Sequence, residues 1–244
     1  MPRDRDTVNR RQALNALGAA AGAAALANVP TLAAAPAVRT GYWPACIVTP
    51  EQTEGPYFVD EKLERADIRK DPADGTTREG LPLRLRMSVH RVDGNACTPI
   101  TGAHVDLWQC DVSGVYAGVR DQQGLFDTRE KKFLRGYQVS DAKGAVEFLT
   151  IYPGWYPGRT PHIHFKVRLY AGQRRSYEFT SQLYFDDAFT DRIYARPPYS
   201  RPGERVTNGR DGIYRREGGD KLMLALTEVR EEVLGGFEIG LRMS

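Results

Sequence analysis

Alternation of apolar and polar residues dominates this chain. In LRLRMSVHRV (83–92), Leu83, Leu85, Met87 and Val89 fall on one face, the period-two signature of a half-buried strand. AHVDLWQCD (103–111), GAVEFLTIYP (144–153) and SQLYFDD (181–187) read the same way. In IHFKVRLY (163–170), Ile163, Phe165, Val167 and Leu169 alternate with His164, Lys166 and Arg168. KLMLALTEV and GFEIGLRM close the chain as a pair of strands, with KLMLALTEVREEVL also open to a helical reading. The 24 Gly and 15 Pro residues punctuate the intervals. Many short strands between Gly/Pro turns predict an all-β fold, a sandwich of mostly antiparallel strands with long irregular loops. Two segments lack the alternation. Residues 49–80 are polar and turn-rich, and residues 189–215 are rich in Arg, Tyr and Pro. Long loops on a β scaffold commonly carry function.

Composition sets the organisation. The chain has 244 residues, 41% hydrophobic and 27% charged, enough for one domain with a real core. That domain is expected over 81–244, with 38–80 as an arm wrapping it. Residues 1–37 read as an export signal. They have a basic start, an uncharged Ala/Leu run and small residues suited to A-x-A cleavage. The Arg10-Arg11 pair resembles a twin-arginine signal, although Ala13 and Asn9 depart from the usual residues. A net charge of +3 leaves no basic field. With no RNP, helix-turn-helix or phosphate-loop pattern, nothing points to nucleic acid. No stretch suits a stable membrane anchor. Of Cys46, Cys97 and Cys110, one pair is open to disulfide formation in an exported protein, and no C-x-x-C zinc pattern occurs.

The candidate chemistry sits in PGWYPGRTPHIHFKV (153–167). Two of only four histidines, His162 and His164, stand one residue apart. On a strand they project from one face, roughly 6.5 Å apart along the backbone. Two readings stand side by side: a pair of metal ligands, or two polar residues on the wet face of an edge strand. No acidic residue lies between Tyr152 and His164, but Tyr152 and Tyr156 do, and Tyr116 lies beyond the 103–111 strand. A phenol with a pKa near 10 ligates as phenolate only when a strong Lewis acid removes its proton. Two His and two Tyr without a carboxylate therefore point to Fe(III), and away from zinc hydrolases and from two-His-one-carboxylate Fe(II) sites.

Three spaced segments then carry a family resemblance: ITGAHVDLWQCDVSGVYAG, FLRGYQVSDAKGAVEFLTIYPGWY and RTPHIHFKV. With TPEQTEGPYF, they resemble the intradiol ring-cleavage dioxygenases over roughly residues 45 to 244, nearer the protocatechuate than the catechol branch. The resemblance implies a non-haem Fe(III) held by Tyr116, Tyr156, His162 and His164. Tyr156, in the P-G-x-Tyr position, doubles as a base. Arg159 stabilises charge on the substrate ring, and Gln182 lines the substrate and oxygen pocket. The partners implied are a catechol-type diol and O₂. His90 and His104 have no companion ligand and read as packing or surface residues. The competing expectation is an exported β-sandwich binding protein without redox chemistry. The basic pair also generates a test. Replacing Arg10 and Arg11 with Lys should retain the protein in the cytoplasm on cell fractionation, and unchanged export would mean another route.

Overall fold

A computed structural model describes residues 47–243. The expected export segment, the Arg10-Arg11 pair and Cys46 lie outside the described residues. Among the described residues, nine strands form two sheets packed face to face. The first joins β1 (Pro82–Asp93), β2 (Ala96–Pro99), β5 (Ala145–Ile151), β8 (Ala225–Val229) and β9 (Glu232–Leu241). The second has the order β4 (Arg135–Val139), β3 (His104–Trp108), β6 (His162–Ala171), β7 (Arg174–Tyr184). Pairing is antiparallel throughout, except that β1 and β9 run parallel.

The expected alternation faces the core. Leu83, Leu85, Met87 and Val89 of β1 are buried with Val146 and Phe148 of β5 and Phe237 and Ile239 of β9. They meet Val105 and Leu107 of β3 and Ile163, Phe165 and Val167 of β6. Phe165 reaches across the interface to Phe237, with ring centroids 6.2 Å apart. The closing segment folds as the strand pair β8–β9, and the helical reading of KLMLALTEVREEVL is not adopted. Of the short candidate 181–187, residues 181–184 form the end of a longer strand, β7, which forms a hairpin with β6, while Asp187 already starts α1 (Asp187–Tyr194). The irregular segment 189–215 contains most of α1 and the start of α2 (Gly212–Arg216).

Residues 47–81 contribute no strand of their own but close the sides of the sandwich. The Arg65 amide donates to Tyr137 on β4, and the Ile68 amide donates to Leu149 on β5. These bonds occupy edge groups of both sheets that would otherwise template aggregation. The stretch from Glu54 to Asp60 lies over the outer face of the second sheet. Lys166 pairs with Glu54 and Glu178, and Arg168 pairs with Asp60 and Asp106. Residues 162–168 of β6 are therefore buried on both faces. β6 is an interior strand, flanked by β3 and β7, so the wet-edge reading of the two histidines does not hold. Because Phe237 bridges the sheets, Phe237→Ala should destabilise the fold by about 3–5 kcal/mol. A urea melt measures this, and a loss below 1 kcal/mol (roughly one methylene) would mean that the interface repacks around the gap.

Candidate active site

Strand register assembles the first half of the site. Trp108, His164 and Gln182 lie side by side across β3, β6 and β7, and His162 pairs with Tyr184. All five project from the outer face of the second sheet, since alternate residues share a face. His162 and His164 are each only 2% exposed. Their Nε2 atoms stand 3.1 Å apart. The Trp108 ring stacks on His164 at 4.9 Å and 8°. Burial pushes both imidazoles well below the usual histidine pKa, and for each the Arg159 charge acts in the same direction. In the neutral His162 ring, Nδ1 donates to the Thr160 carbonyl at 2.6 Å. Its Nε2 lone pair is thereby turned into the site.

Two loops supply the phenols. The turn after β3 brings in Tyr116, fully buried, with its hydroxyl 3.4 Å from His162 Nε2. The loop before β6 brings in Tyr156, with its hydroxyl 3.2 Å from the same nitrogen. Burial raises both phenols above the ordinary tyrosine value. Tyr152, the other candidate in that loop, points elsewhere: its hydroxyl bonds to Thr190 Oγ1 at 2.7 Å inside the core. The loops meet backbone to backbone. A Cβ on Gly114 would sit 2.3 Å from the Trp155 carbonyl oxygen, and one on Gly154 would sit 2.4 Å from that of Asp111. Gly114 also has φ +84, a region open to glycine at little cost.

The separations of the other three donors from His162 Nε2 fit ligands around one metal ion. With metal–nitrogen distances of about 2.0–2.1 Å, neighbouring ligands lie about 2.9 Å apart in an octahedron and about 3.4 Å apart in a tetrahedron, which brackets the separations here. His164 Nδ1 is buried without a hydrogen-bond partner, so Trp108 stacking, rather than a hydrogen bond, fixes that ring. Among the described residues, no group of three or more His, Cys, Asp or Glu side chains is arranged to hold a metal. His104 stacks on Tyr137 away from these four residues, and His90 lies on β1 in the other sheet. Cys97 is disulfide-bonded, and Cys110 is a buried free thiol near the Gly154 carbonyl.

Arg159 and Gln182 belong to the same cluster. Arg159 Nη2 donates to Gln182 Oε1 at 2.6 Å, and Nη1 lies 3.5 Å from His162 Nε2. Sequence reasoning missed what holds the arginine. Asp211, fully buried, accepts from Arg159 Nε and the Thr160 amide, each at 2.8 Å. Its other oxygen caps α2 through the Ile213 and Tyr214 amides. Burial alone would raise the Asp211 carboxyl, but the Tyr214 amide and the Arg159 charge outweigh it and hold the pKa below the usual range. Tyr57 was also missed as an individual residue. It stacks on Tyr116 at 4.6 Å and donates to Asp121 at 2.7 Å. Both partners are distant in sequence, and the D-G at 211–212, a helix-start signal, was the only local cue to Asp211.

The fold and donor set define an all-β protein with a buried imidazole–phenol centre. The Dioxygenase_C family model, described as dioxygenase, matches residues 53–197. The chain belongs to the intradiol ring-cleavage dioxygenase family, a family of oxidoreductases. It is similar to an intradiol ring-cleavage dioxygenase from Tetranychus urticae: 34% identity, TM-score 0.67, covering 81% of this chain and 95% of that one. It is 34% identical over 125 residues to the protocatechuate 3,4-dioxygenase beta chain of Burkholderia cepacia, covering 47% of this chain and 51% of the relative. It is 29% identical over 151 residues to a chlorocatechol 1,2-dioxygenase of a Pseudomonas species, covering 54% of each. The chain spans about half the length of the curated relatives it matches.

The Arg159–Asp211 pair yields a stability test. Asp211→Asn keeps the acceptor geometry and strands the arginine charge. The expected cost is about 3 kcal/mol, the lower end for a broken buried pair, since Arg159 keeps 16% side-chain exposure. Adding Arg159→Met should recover part of that loss in a urea melt. Equal additive losses would show that the two charges are not coupled.

Proposed function

We propose that this chain cleaves a catechol-type aromatic diol between its two hydroxyl-bearing carbons, using O₂ and a non-haem Fe(III) held by Tyr116, Tyr156, His162 and His164. The observation that carries the reading is that a second imidazole, His164, and two phenols, Tyr156 and Tyr116, stand 3.1, 3.2 and 3.4 Å from His162 Nε2 in a buried site. When bound, ferric iron supplies a Lewis acid strong enough to hold phenolates and catecholates and to make the bound ring electron-rich.

The residues of the chain do the rest. Tyr156 is half-buried whereas Tyr116 is wholly buried, so Tyr156 is the phenol on which incoming substrate bears. Its oxygen takes up a substrate hydroxyl proton as the diol binds. Arg159 is aimed at the donor cluster by Asp211 and Gln182, and it stabilises negative charge on the ring during attack. Trp108 and the arm residues around Tyr57 exclude water from the rear of the histidines. The overall change adds both atoms of O₂ to the diol and leaves a cis,cis-muconate-type diacid. Protocatechuate, catechol or a related plant-derived catechol is the substrate class. The protocatechuate and chlorocatechol relatives support it, and the chlorocatechol enzyme is named for a substituted ring.

The test begins with colour. Iron-loaded protein should be red-brown from phenolate-to-iron charge transfer, and His162→Ala should lose both iron and colour. Full iron content in that variant would sink the ligand assignment. Offered catechol, protocatechuate, hydroxyquinol and caffeate, the enzyme should convert at least one to a colourless diacid, with one O₂ consumed per ring. A yellow semialdehyde would overturn the cleavage position. Inactivity of the iron-loaded protein on all four would favour the binding-protein alternative.

A further inference from the structure

The segment between α1 and α2 contributes a residue that neither ligand spacing nor register singles out. Arg201 extends from that segment to the two tyrosine-bearing loops. Its Nη1 donates to the Ser113 carbonyl at 2.6 Å, and its Nη2 donates to the Trp155 carbonyl. Its guanidinium also lies over the Trp155 ring, 4.0 Å from the centroid. Ser113 precedes Tyr116 by three residues, and Trp155 immediately precedes Tyr156. One planar side chain therefore ties the backbones that carry both phenols.

The two loops depend on such a tie. At Gly114 and Gly154 they approach too closely for any Cβ. Asp111, on the first loop, accepts through its carbonyl from both Gly114, at 2.9 Å, and Gly154, at 3.2 Å. The Ser113 and Trp155 carbonyls, one from each loop, both accept from the Arg201 guanidinium. A guanidinium presents two donors in a rigid fork that spans such a pair, whereas an ammonium is a single point charge. A charge-assisted bond to each carbonyl is stronger than a neutral one. Arg201 Nε is buried without a partner, so the guanidinium sits at this spot for its two Nη donors and its face rather than through full pairing.

We propose that Arg201 is a positioning residue that locks the 111–116 loop to the 153–156 loop and thereby fixes the relative placement of the Tyr116 and Tyr156 hydroxyls. The consequence for metal binding rests on the ligand reading above, but the lock itself does not. The experiment therefore reads both, using the full chain as Arg201→Met, Arg201→Lys and, as a control on the same segment, Arg196→Met, which removes an exposed pair with Glu228. Hydrogen exchange on metal-free protein should show the Asp111, Gly114 and Gly154 amides opening about tenfold faster or more in Arg201→Met, the factor that loss of one bond to a charged group corresponds to. Arg201→Lys should fall between parent and Arg201→Met, and Arg196→Met should match the parent. With ferric ion added, the phenolate charge-transfer band should shift or weaken in Arg201→Met and in a further variant, Arg201→Ala, in which millimolar guanidinium should restore it. Unchanged exchange at those amides in both Arg201→Met and Arg201→Lys would overturn the lock. Faster exchange with an unmoved band would overturn the claim about the hydroxyls. A parent protein that binds ferric ion without any such band would instead refute the ligand reading and leave the exchange result to decide the lock. Should Arg201→Met fail to fold, the lysine variant carries the same comparisons.

Discussion

Two imidazole nitrogens 3.1 Å apart in a buried site impose the constraint to which the surrounding structure answers. Burial and the Arg159 guanidinium both disfavour the charged form of each ring. A neutral imidazole has one donor and one acceptor, so each ring must be oriented by something outside the pair. For His162 that is the Thr160 carbonyl. Thr160 is itself held by Asp211 at its amide and by Asn208 at its hydroxyl. For His164 it is the flat face of Trp108. One orienter comes from the loop before β6 and the other from β3. The site is therefore stable only where sheet register and the far loops agree.

The same constraint explains the covering of the second sheet. A strand with His162, His164, Lys166 and Arg168 on one face would ordinarily leave that face in water. Here the arm supplies Glu54 and Asp60 to the two cations, and Lys166 lies 4.4 Å above the Phe58 ring. The cations at one end of β6 bind down the same arm segment whose middle carries Phe58 against Trp108 and Tyr57 against Tyr116. Charge pairing at one end of the strand thus dries the histidine end. Such partly exposed pairs contribute little net stability one by one, so their effect here is placement of the aromatic cover.

This arrangement also explains what the sequence disclosed. The inward faces of β1, β5 and β6 were legible because an apolar core enforces period two. H-x-H on a strand is a local pattern, and Tyr116, Tyr152 and Tyr156 were legible as candidate phenols beside it; the preference for Tyr156 over Tyr152 and the place of Arg159 came from the family resemblance. The outer face of β6 was not. Its polar residues satisfy a solvent pattern equally well, and only the arm, more than 100 residues earlier, removes the water. β4 was missed because RGYQV contains Gly136, where a Cβ would lie 3.0 Å from Arg65 and Ile68. The arm has replaced the side chain that would have shown the alternation. The two charged side chains that reach the site from 189–215, Arg201 and Asp211, lay in a segment without periodicity, because each acts through a few partners roughly 45 to 90 residues away in sequence rather than through a repeating face.

That segment has a physical reason for being long and irregular. It must deliver an anion to Arg159 on one side of the Tyr156 loop and a cation to the Trp155 carbonyl on the other. No single helix or strand reaches both. α1 begins with Asp186 accepting from the Phe189 amide, and its Asp187 and Asp191 hold Arg205. α2 begins at Asp211 itself. Each short helix thus anchors one end of the span, leaving the residues between them free to follow the loop they brace. A helical substitute for the span would satisfy its own backbone but would forfeit one of the two contacts. The loss would fall on the Tyr156 loop, whose glycine-rich backbone has little of its own to hold its shape.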